Sequence, residues 1–158
     1  MEGISPHKAM LSKTWYRLLV LSLLALIFFL CGDATFGSDS PARLSPYEQQ
    51  LFHSINQYRI SNGLNPLRVD KTLQELAGNH SRNMDGKNCL SHDAFHQRFT
   101  QCGRSHCVEN VGWNSPTAED QLKGWKNSAG HNSNLLNKKI RFAGISRHGD
   151  YVTFFACD

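Results

Sequence analysis

The chain is organised around one segment, Trp125-Lys126-Asn127-Ser128-Ala129-Gly130-His131-Asn132-Ser133-Asn134-Leu135-Leu136-Asn137. A helical pattern ends at Trp125, a Ser-Ala-Gly break follows, and then comes His131. Gly130 allows the backbone to turn sharply at low steric cost. We therefore expect His131 to project from a bend rather than from a helix face. The rest of the chain must then supply the side chains that meet this imidazole.

Two other polar side chains stand at bends or element ends among apolar neighbours, His92 and Glu109. Two neutral imidazoles and a carboxylate are the donor types of an open zinc site. His92, Glu109 and His131 are therefore candidate ligands of a divalent metal ion such as zinc. The same side chains also suit a buried hydrogen-bond network that locks loops together. The residue types favour a hydrogen-bond network as the structural role of these side chains. The same network could also bind a metal ion.

The segments upstream of these residues carry helix signals. Ser45-Pro46-Tyr47-Glu48 combines a capping residue, a proline suited to the first helical position and a capping-box glutamate. The first helix should end at Asn62-Gly63. Asp70 should cap a second helix, whose apolar stripe includes His80. We expect His80 to be a packed core histidine with one hydrogen bond.

The later segments change from helix to strand patterns. Phe95 and Phe99 suggest a short amphipathic helix, Gln101 to His106 a loop, and Thr117 to Trp125 a further helix. Ile140 to Arg147 and Tyr151 to Cys157 read as two strands of a hairpin. Helices followed by a hairpin, without alternation, predict an α+β fold with helices packed on an antiparallel sheet.

The N-terminal segment predicts a secreted protein. Basic residues precede an apolar run, Leu18 to Leu30, which is short for a membrane span and suits a signal peptide. We assign residues 1–37 to the signal peptide, 38–45 to a linker and 46–158 to one domain, with no membrane span after cleavage. An uncleaved signal anchor is the alternative. The net charge of +4 comes from scattered basic residues, and this pattern argues against nucleic-acid binding.

Four cysteines follow the predicted leader, Cys89, Cys102, Cys107 and Cys157. An even count in an oxidising compartment indicates two disulfides. Three pairings are possible, of which we prefer Cys102–Cys107 with Cys89–Cys157. A structural zinc site is the rival interpretation, although the spacing does not give two close cysteine pairs.

The motifs together resemble the CAP superfamily, which includes cysteine-rich secretory proteins, antigen 5 and plant pathogenesis-related 1 proteins. The resemblance runs from about Glu48 to Cys157. It is strongest at Glu109-Asn110-Val111-Gly112 and at Trp125…Gly130-His131…Asn134-Leu135-Leu136-Asn137. It implies a three-layer α-β-α sandwich with a small antiparallel central sheet and a cleft that holds two histidines and two acidic residues. His92, Glu109 and His131 match three of the four, whereas Ser128 stands where the family has the second glutamate.

The resemblance also implies a function. We expect a secreted, extracellular and non-enzymatic protein that acts as a binding or defence-related module. Its expected partners are a sterol or fatty acid, or an extracellular macromolecule. Five aromatic residues are candidates for an apolar groove, although each also suits the core: Phe95, Phe99, Trp113, Phe142 and Phe154.

The alternative is a hydrolase that uses the same cleft. Ser128, His131 and Glu109 are the residue types of a serine triad. They lack the Gly-x-Ser-x-Gly turn that holds the nucleophile in many such enzymes. A metal-assisted hydrolase using His92 and His131 is the other form of this alternative.

Overall fold

The computed structural model describes residues 43–158. The predicted signal peptide and most of the predicted linker lie outside these residues. The described part contains five helices and four strands, in the order α1 (Pro46–Ser61), β1 (Arg68–Val69), α2 (Lys71–Lys87), α3 (Phe95–Cys102), β2 (Cys107–Trp113), α4 (Ala118–Asn127), α5 (Ala129–Leu135), β3 (Phe142–His148) and β4 (Tyr151–Cys157).

Helix α1 begins as its sequence predicts. Ser45 Oγ accepts from the Glu48 amide at 3.3 Å, and the Ser45 amide donates to the Glu48 carboxylate at 2.7 Å. This reciprocal capping box satisfies two amides that the first turn would otherwise leave unpaired. The helix ends before Gly63, whose φ of 73° is the left-handed conformation that glycine adopts without strain.

Helices α2 and α4 have equally local start signals. Asp70 accepts from the Leu73 amide at 3.0 Å, and Thr117 accepts from the Asp120 amide at 3.1 Å. Each bond satisfies an amide in the first turn of its helix. The predicted cap at Asp70 is therefore confirmed, and Thr117 caps the helix that was predicted to begin there.

The sheet has the strand order β1-β3-β4-β2. β4 pairs antiparallel with both β2 and β3, while the two-residue strand β1 pairs parallel with β3. All seven residues of β4 are buried, as expected of a central strand that is covered on both faces. Gly149, at a φ of 54°, and Asp150 form the turn of the predicted β3–β4 hairpin.

The two faces of β4 belong to different parts of the core. Val152, Phe154 and Ala156 pack with residues of α1, α4 and α5, including Trp125. Phe155 and Cys157 pack with the apolar stripe of α2. The sheet therefore lies between two helical layers, and the predicted α+β sandwich is confirmed.

The sequence-based boundaries differ from the structure at several places, including the end of α4 at Asn127 instead of Trp125. β3 begins at Phe142 rather than Ile140, and α3 continues to Cys102, into the segment predicted as a loop. β1 was not predicted, because two residues give no strand periodicity. Within the described residues, no helix combines the length and the apolar character that a membrane span requires.

Candidate functional site

The candidate site lies along β2, which is an edge strand of the sheet. Successive strand residues point to opposite faces, so the neighbours Glu109 and Asn110 serve different sides of β2. Both are buried, at 5% and 0% exposure. The motif Glu109-Asn110-Val111-Gly112 thus places two polar side chains where each needs a partner.

Glu109 finds its main partner in Arg98 of α3. Arg98 Nε donates to Glu109 Oε2 at 2.7 Å, and Arg98 Nη2 donates to Oε1 at 2.8 Å. This two-point geometry is the strong form of a guanidinium–carboxylate pair. The negative charge of the buried carboxylate is therefore balanced by the positive charge of Arg98.

The remaining guanidinium nitrogen connects Arg98 to two further groups. Nη1 donates to the Asp93 carbonyl at 2.7 Å and contacts His80 Nδ1 at 3.1 Å. Since arginine has only donors, His80 Nδ1 must accept. His80 Nε2 therefore carries the proton and donates to the Ser91 carbonyl at 2.9 Å.

His80 is held in its neutral form by this arrangement. Its exposure is 3%, and burial lowers its pKa below the ordinary value of 6.5, against the opposing effect of Glu109. The prediction of a core histidine is confirmed, but with two hydrogen-bond partners instead of one. Its bonds tie α2 both to α3 and to the loop that carries His92.

His92 joins the network from the solvent side. Its Nδ1 lies 2.9 Å from Glu109 Oε1. Because a carboxylate only accepts, Nδ1 carries a proton, and in the neutral form of His92 the lone pair is therefore on Nε2. The side chain is 52% exposed, so this lone pair is available to a ligand.

His131 occupies a different setting from the one expected. It lies in the first turn of α5, not on a bend, and Gly130 has no positive φ. The break falls instead at Ser128, whose extended backbone, with φ −98° and ψ 118°, separates α4 from α5. The expectation of a glycine bend is therefore wrong, because an extended residue of any type makes the same change of direction.

Asn110 and Asn134 hold α5 against β2. Asn110 Nδ2 donates to the His131 carbonyl at 3.0 Å, and Asn134 Nδ2 contacts both Asn110 Oδ1 and the Glu109 carbonyl. The bonds position the backbone of His131, while its half-buried ring has no hydrogen bond among residues 43–158. Burial lowers the pKa of His131, and the charge of nearby His92 lowers it further.

The expected hydrogen-bond network thus forms, but its residues differ from the predicted ones. It contains Glu109 and His92 together with Arg98 and His80, while His131 is attached through its backbone. Arg98 was missed by the sequence analysis, although a signal was present. It lies three residues after Phe95 on the apolar stripe of the amphipathic helix α3, where a buried cation needs an acid.

The metal site of His92, Glu109 and His131 stays a prediction. Its imidazoles are near enough to interact electrostatically, but both oxygens of Glu109 are engaged by Arg98. Over the described residues, three candidate ligand atoms lie within 4.8 Å of one another only at Cys102, Cys107 and Cys157. The donor set at the cleft is therefore two imidazoles, with Glu109 orienting one of them.

The cysteines pair differently from our preferred arrangement. The structure joins Cys107 to Cys157, while Cys89 and Cys102 are free thiols. Cys107 and Cys157 face each other in the β2–β4 register. Cys89 comes two residues after the end of α2. The preceding residue, Asn88, contacts Tyr151, which begins β4. Cys157 lies at the other end of β4, about 20 Å away along the strand, so the structure does not support a Cys89–Cys157 bond.

The five aromatic residues do not line one groove. Phe154 is fully buried in the core shared by α1, α4 and α5, whereas Phe95 and Phe142 pack beside the α2 layer. Phe99 stacks on Phe95, and Trp113 is 54% exposed. The core interpretation, which the sequence favours, holds for Phe154, and Phe95 and Phe142 are partly buried against the second core cluster.

The chain resembles bacterial proteins in sequence. It is 31% identical over 115 residues to the uncharacterized protein YkwD of Bacillus subtilis, covering 68% of this chain and 45% of that protein. It is 30% identical over 118 residues to the uncharacterized membrane protein YlbC of the same organism, covering 67% and 33% respectively. The chain thus spans less than half the length of these curated relatives.

Solved structures share the fold. An extracellular protein of Bacillus anthracis with an SCP domain has a TM-score of 0.67 and 26% identity, over 73% of this chain and 44% of that one. An outer surface protein of Borrelia burgdorferi has a TM-score of 0.66 and 20% identity, over 70% and 90%. The latter likeness concerns the fold alone.

The family profile described as the cysteine-rich secretory protein family, CAP, matches residues 52–158. This range contains every helix and strand from α2 onward and most of α1, together with the Glu109 network. Profile, fold and motifs agree with the resemblance seen in the sequence: the chain belongs to the CAP family.

Proposed function

We propose that this chain is a non-enzymatic extracellular binding module whose cleft coordinates a divalent metal ion through His92 and His131. The observation that carries the proposal is the bond from His92 Nδ1 to Glu109 Oε1 at 2.9 Å. A carboxylate in this position fixes the tautomer of a ligating histidine and leaves Nε2 free for the metal. Glu109 is fixed in turn by Arg98.

The pKa directions support the same arrangement. Burial is the main cause that lowers the pKa of His131, and it favours neutral imidazole, which is the form that binds metal. Protonated His92 lowers the same pKa further, but metal coordination requires both rings to be neutral. Two protein ligands leave the remaining coordination positions to water or to a partner, so the expected affinity is modest. The ion, when bound, would supply an attachment point for an anionic group of that partner.

Zinc titration of the histidine variants tests the metal site. We expect His92→Ala and His131→Ala each to weaken zinc binding about tenfold or more, measured by calorimetry. His53→Ala is the matched control, because His53 is an exposed histidine on α1. Cys89→Ser and Cys102→Ser should be present throughout, because free thiols also bind zinc. Unchanged zinc binding in the His92→Ala/His131→Ala variant would refute the site.

The non-enzymatic part rests on the finding that Ser128, the candidate nucleophile, is not activated by a base among residues 43–158. No hydrogen bond joins Ser128 Oγ to His131 within residues 43–158, and Glu109 is occupied by Arg98 and His92. A triad needs its base within hydrogen-bond reach of both the nucleophile and the acid. The hydrolase alternative makes a clear prediction: turnover of an activated ester should disappear in Ser128→Ala, or with metal removal for the metal-assisted form. Such a loss would overturn the non-enzymatic assignment.

The extracellular part is supported by the similar Bacillus anthracis protein, which is described as extracellular. Intact mass analysis of protein recovered from the medium tests it. Cleavage before Ser38 should give a chain that begins at residue 38, whereas the full-length mass in the membrane fraction would indicate a signal anchor. The same spectrum, recorded under native conditions, would reveal a retained sterol or fatty acid and so test the predicted lipid partner.

A further inference from the structure

A second candidate binding region lies at one end of the sheet, where β1, β2 and β3 begin and β4 ends. Two adjoining cavities of about 800 and 730 Å³ share Lys138, Arg141 and Phe142 in their linings. We call this continuous depression the basic groove. None of its lining residues belongs to the network of Glu109, Arg98, His80 and His92.

The charge of the basic groove is strongly positive. Its lining contains five permanent cations and one acid: Arg59, Arg68, Lys138, Lys139 and Arg141, against Asp158. Arg68, Lys138, Lys139 and Arg141 are exposed, and their side chains form no ion pair or hydrogen bond within the described part of the chain. The positive electrostatic potentials of these four side chains therefore add, and a concave surface strengthens the resulting attraction for an anion.

The one acid is already occupied. The Asp158 carboxylate accepts from the Ser105 hydroxyl and from the amides of Ser105 and His106, and these bonds hold its pKa below the ordinary value. The carboxylate keeps its single negative charge, and within the described residues it forms no ion pair with the exposed lysine and arginine side chains of the groove. The groove keeps a surplus of positive charge.

Arg59 gives the groove a cation that is built into the protein. Arg59 is 1% exposed and donates to the carbonyls of Asn65, Leu135 and Asn137, but no acidic side chain between residues 43 and 158 pairs with it. Buried charges are normally paired. Nη2 makes no hydrogen bond within residues 43–158, yet it is not among the fully enclosed unsatisfied atoms. Since Arg59 lines the larger cavity, its guanidinium adds a fixed positive charge to the wall of the groove.

We propose that the basic groove binds an elongated polyanion whose charge is carried by phosphate groups. Two cavities with shared cations suit a ligand that has several charged groups in a row. Three of the five cations are arginines, whose planar fork matches phosphate oxygens at two points. The buried guanidinium of Arg59 supplies a fixed anchor, and the exposed side chains add longer-range attraction.

Calorimetric titration with inorganic tripolyphosphate tests the proposal. At about 50 mM salt, where screening is weak, Lys138→Gln/Lys139→Gln should bind about tenfold more weakly than the unaltered protein. Lys87→Gln/Lys123→Gln is the matched control, because it removes two exposed lysines outside the groove. It should retain nearly full affinity. Equal weakening in the two variants, or no binding by the unaltered protein, would overturn the proposal.

Two further measurements distinguish phosphate recognition from general charge attraction. The side-chain Nε–H signal of Arg59 should shift in nuclear magnetic resonance spectra on addition of tripolyphosphate. An unchanged signal at saturation would refute the buried anchor. Short polyglutamate should bind more weakly than tripolyphosphate at equal charge, and equal binding would show that phosphate chemistry is not what the groove recognises. These measurements do not involve His92 or His131, so they are independent of the metal proposal.

Discussion

At the scale of single residues, the decisive contact is the two-point pair between Arg98 and Glu109. Both side chains are buried, at 6% and 5% exposure, so neither charge can be solvated if its partner is removed. Breaking such a pair costs about 3–5 kcal/mol because it leaves a buried charge uncompensated. We therefore expect Arg98→Met to lower the free energy of unfolding in urea by an amount of this order.

A second substitution separates the lost charge pair from lost packing. Adding Glu109→Gln to Arg98→Met removes the stranded charge and should recover a large part of the stability. The single variant Arg98→Lys should be less stable than the unaltered protein, because an ammonium group cannot reproduce the planar set of bonds to Glu109, Asp93 and His80. Additive losses in the double variant would contradict the pairing argument.

His80 makes stability depend on pH in a predictable direction. Its pKa in the folded protein lies below 6.5, so the unfolded chain binds more protons as the pH falls through 6.5. The contribution of His80 is therefore complete above that pH and is lost as the pH falls toward its folded pKa. The neighbouring charges are Arg98, Glu109 and, when protonated, His92.

Urea unfolding between about pH 8 and pH 5 measures this effect. We expect the unaltered protein to lose stability below pH 6.5 more steeply than His80→Leu, whatever the constant difference between them. His131 contributes in the same direction because its pKa is also lowered, so His131→Ala should flatten the remaining slope. Parallel curves for the unaltered protein and His80→Leu would refute the assignment.

The residue types of the site were readable from the sequence, but their partners were not. His92 and Glu109 stood out as polar side chains among apolar neighbours, and they do meet. Arg98 lies eleven residues before Glu109 on another element, and only the packing of α3 against the sheet brings them together. A single sequence contains no signal that specifies such a tertiary pairing.

At the scale of elements, side chains of helices α1 and α2 contact the outer edge of strand β3. Gln74 donates to the Ile145 carbonyl at 2.6 Å and accepts from its amide at 2.8 Å. The Glu48 carboxylate accepts from the Arg147 amide at 2.8 Å. These side chains satisfy the outer edge of β3 beyond the short strand β1. They cover an edge that would otherwise be open to association.

Gly144 is the position at which this contact is closest. A Cβ at Gly144 would overlap the backbone of Leu73 and Gln74, and backbone cannot move aside as a flexible side chain can. We expect Gly144→Ala to destabilise the protein by about 1–3 kcal/mol or more, measured by chemical unfolding. The loss should be accompanied by weaker protection of the Ile145 amide from hydrogen exchange.

Gly124 provides the matched control for that substitution. It lies within α4, is exposed, and would place a Cβ in open space. Alanine is favoured over glycine in a helix interior by about 0.5–1 kcal/mol, so Gly124→Ala should stabilise the protein. An equal loss in both variants would mean that close packing at Gly144 is not the cause.

Elements with local signals were predicted well, and those fixed by packing were not. The caps of α1, α2 and α4 are set by residues within one turn, so the sequence alone locates them. α5 and β1 depend on contacts with distant strands. The segment at Ser128 therefore read as a glycine bend before His131, although an extended serine makes the break.

At the scale of the whole molecule, the last strand of the described residues, β4, lies inside the sheet between β3 and β2. β4 is covered by α2 on one face and by α1, α4 and α5 on the other. The order of helices followed by a hairpin was enough to predict an α+β sandwich. It was not enough to predict the disulfide, because the number of cysteines leaves their pairing open until the β2–β4 register is known.

The Cys107–Cys157 disulfide should raise the free energy of unfolding by about 4 kcal/mol, since it joins residues 50 positions apart in the sequence. Cys102 Sγ lies 3.5 Å from one sulfur and 3.9 Å from the other, so Cys107→Ser alone would allow a substitute Cys102–Cys157 bond. The informative comparison is therefore Cys102→Ser/Cys107→Ser against Cys102→Ser. The double variant should unfold at a lower urea concentration, while Cys89→Ser should unfold like the unaltered protein, because Cys89 is an exposed free thiol. Peptide mapping that recovered a Cys102–Cys107 bridge from the native protein would contradict the pairing and this prediction together.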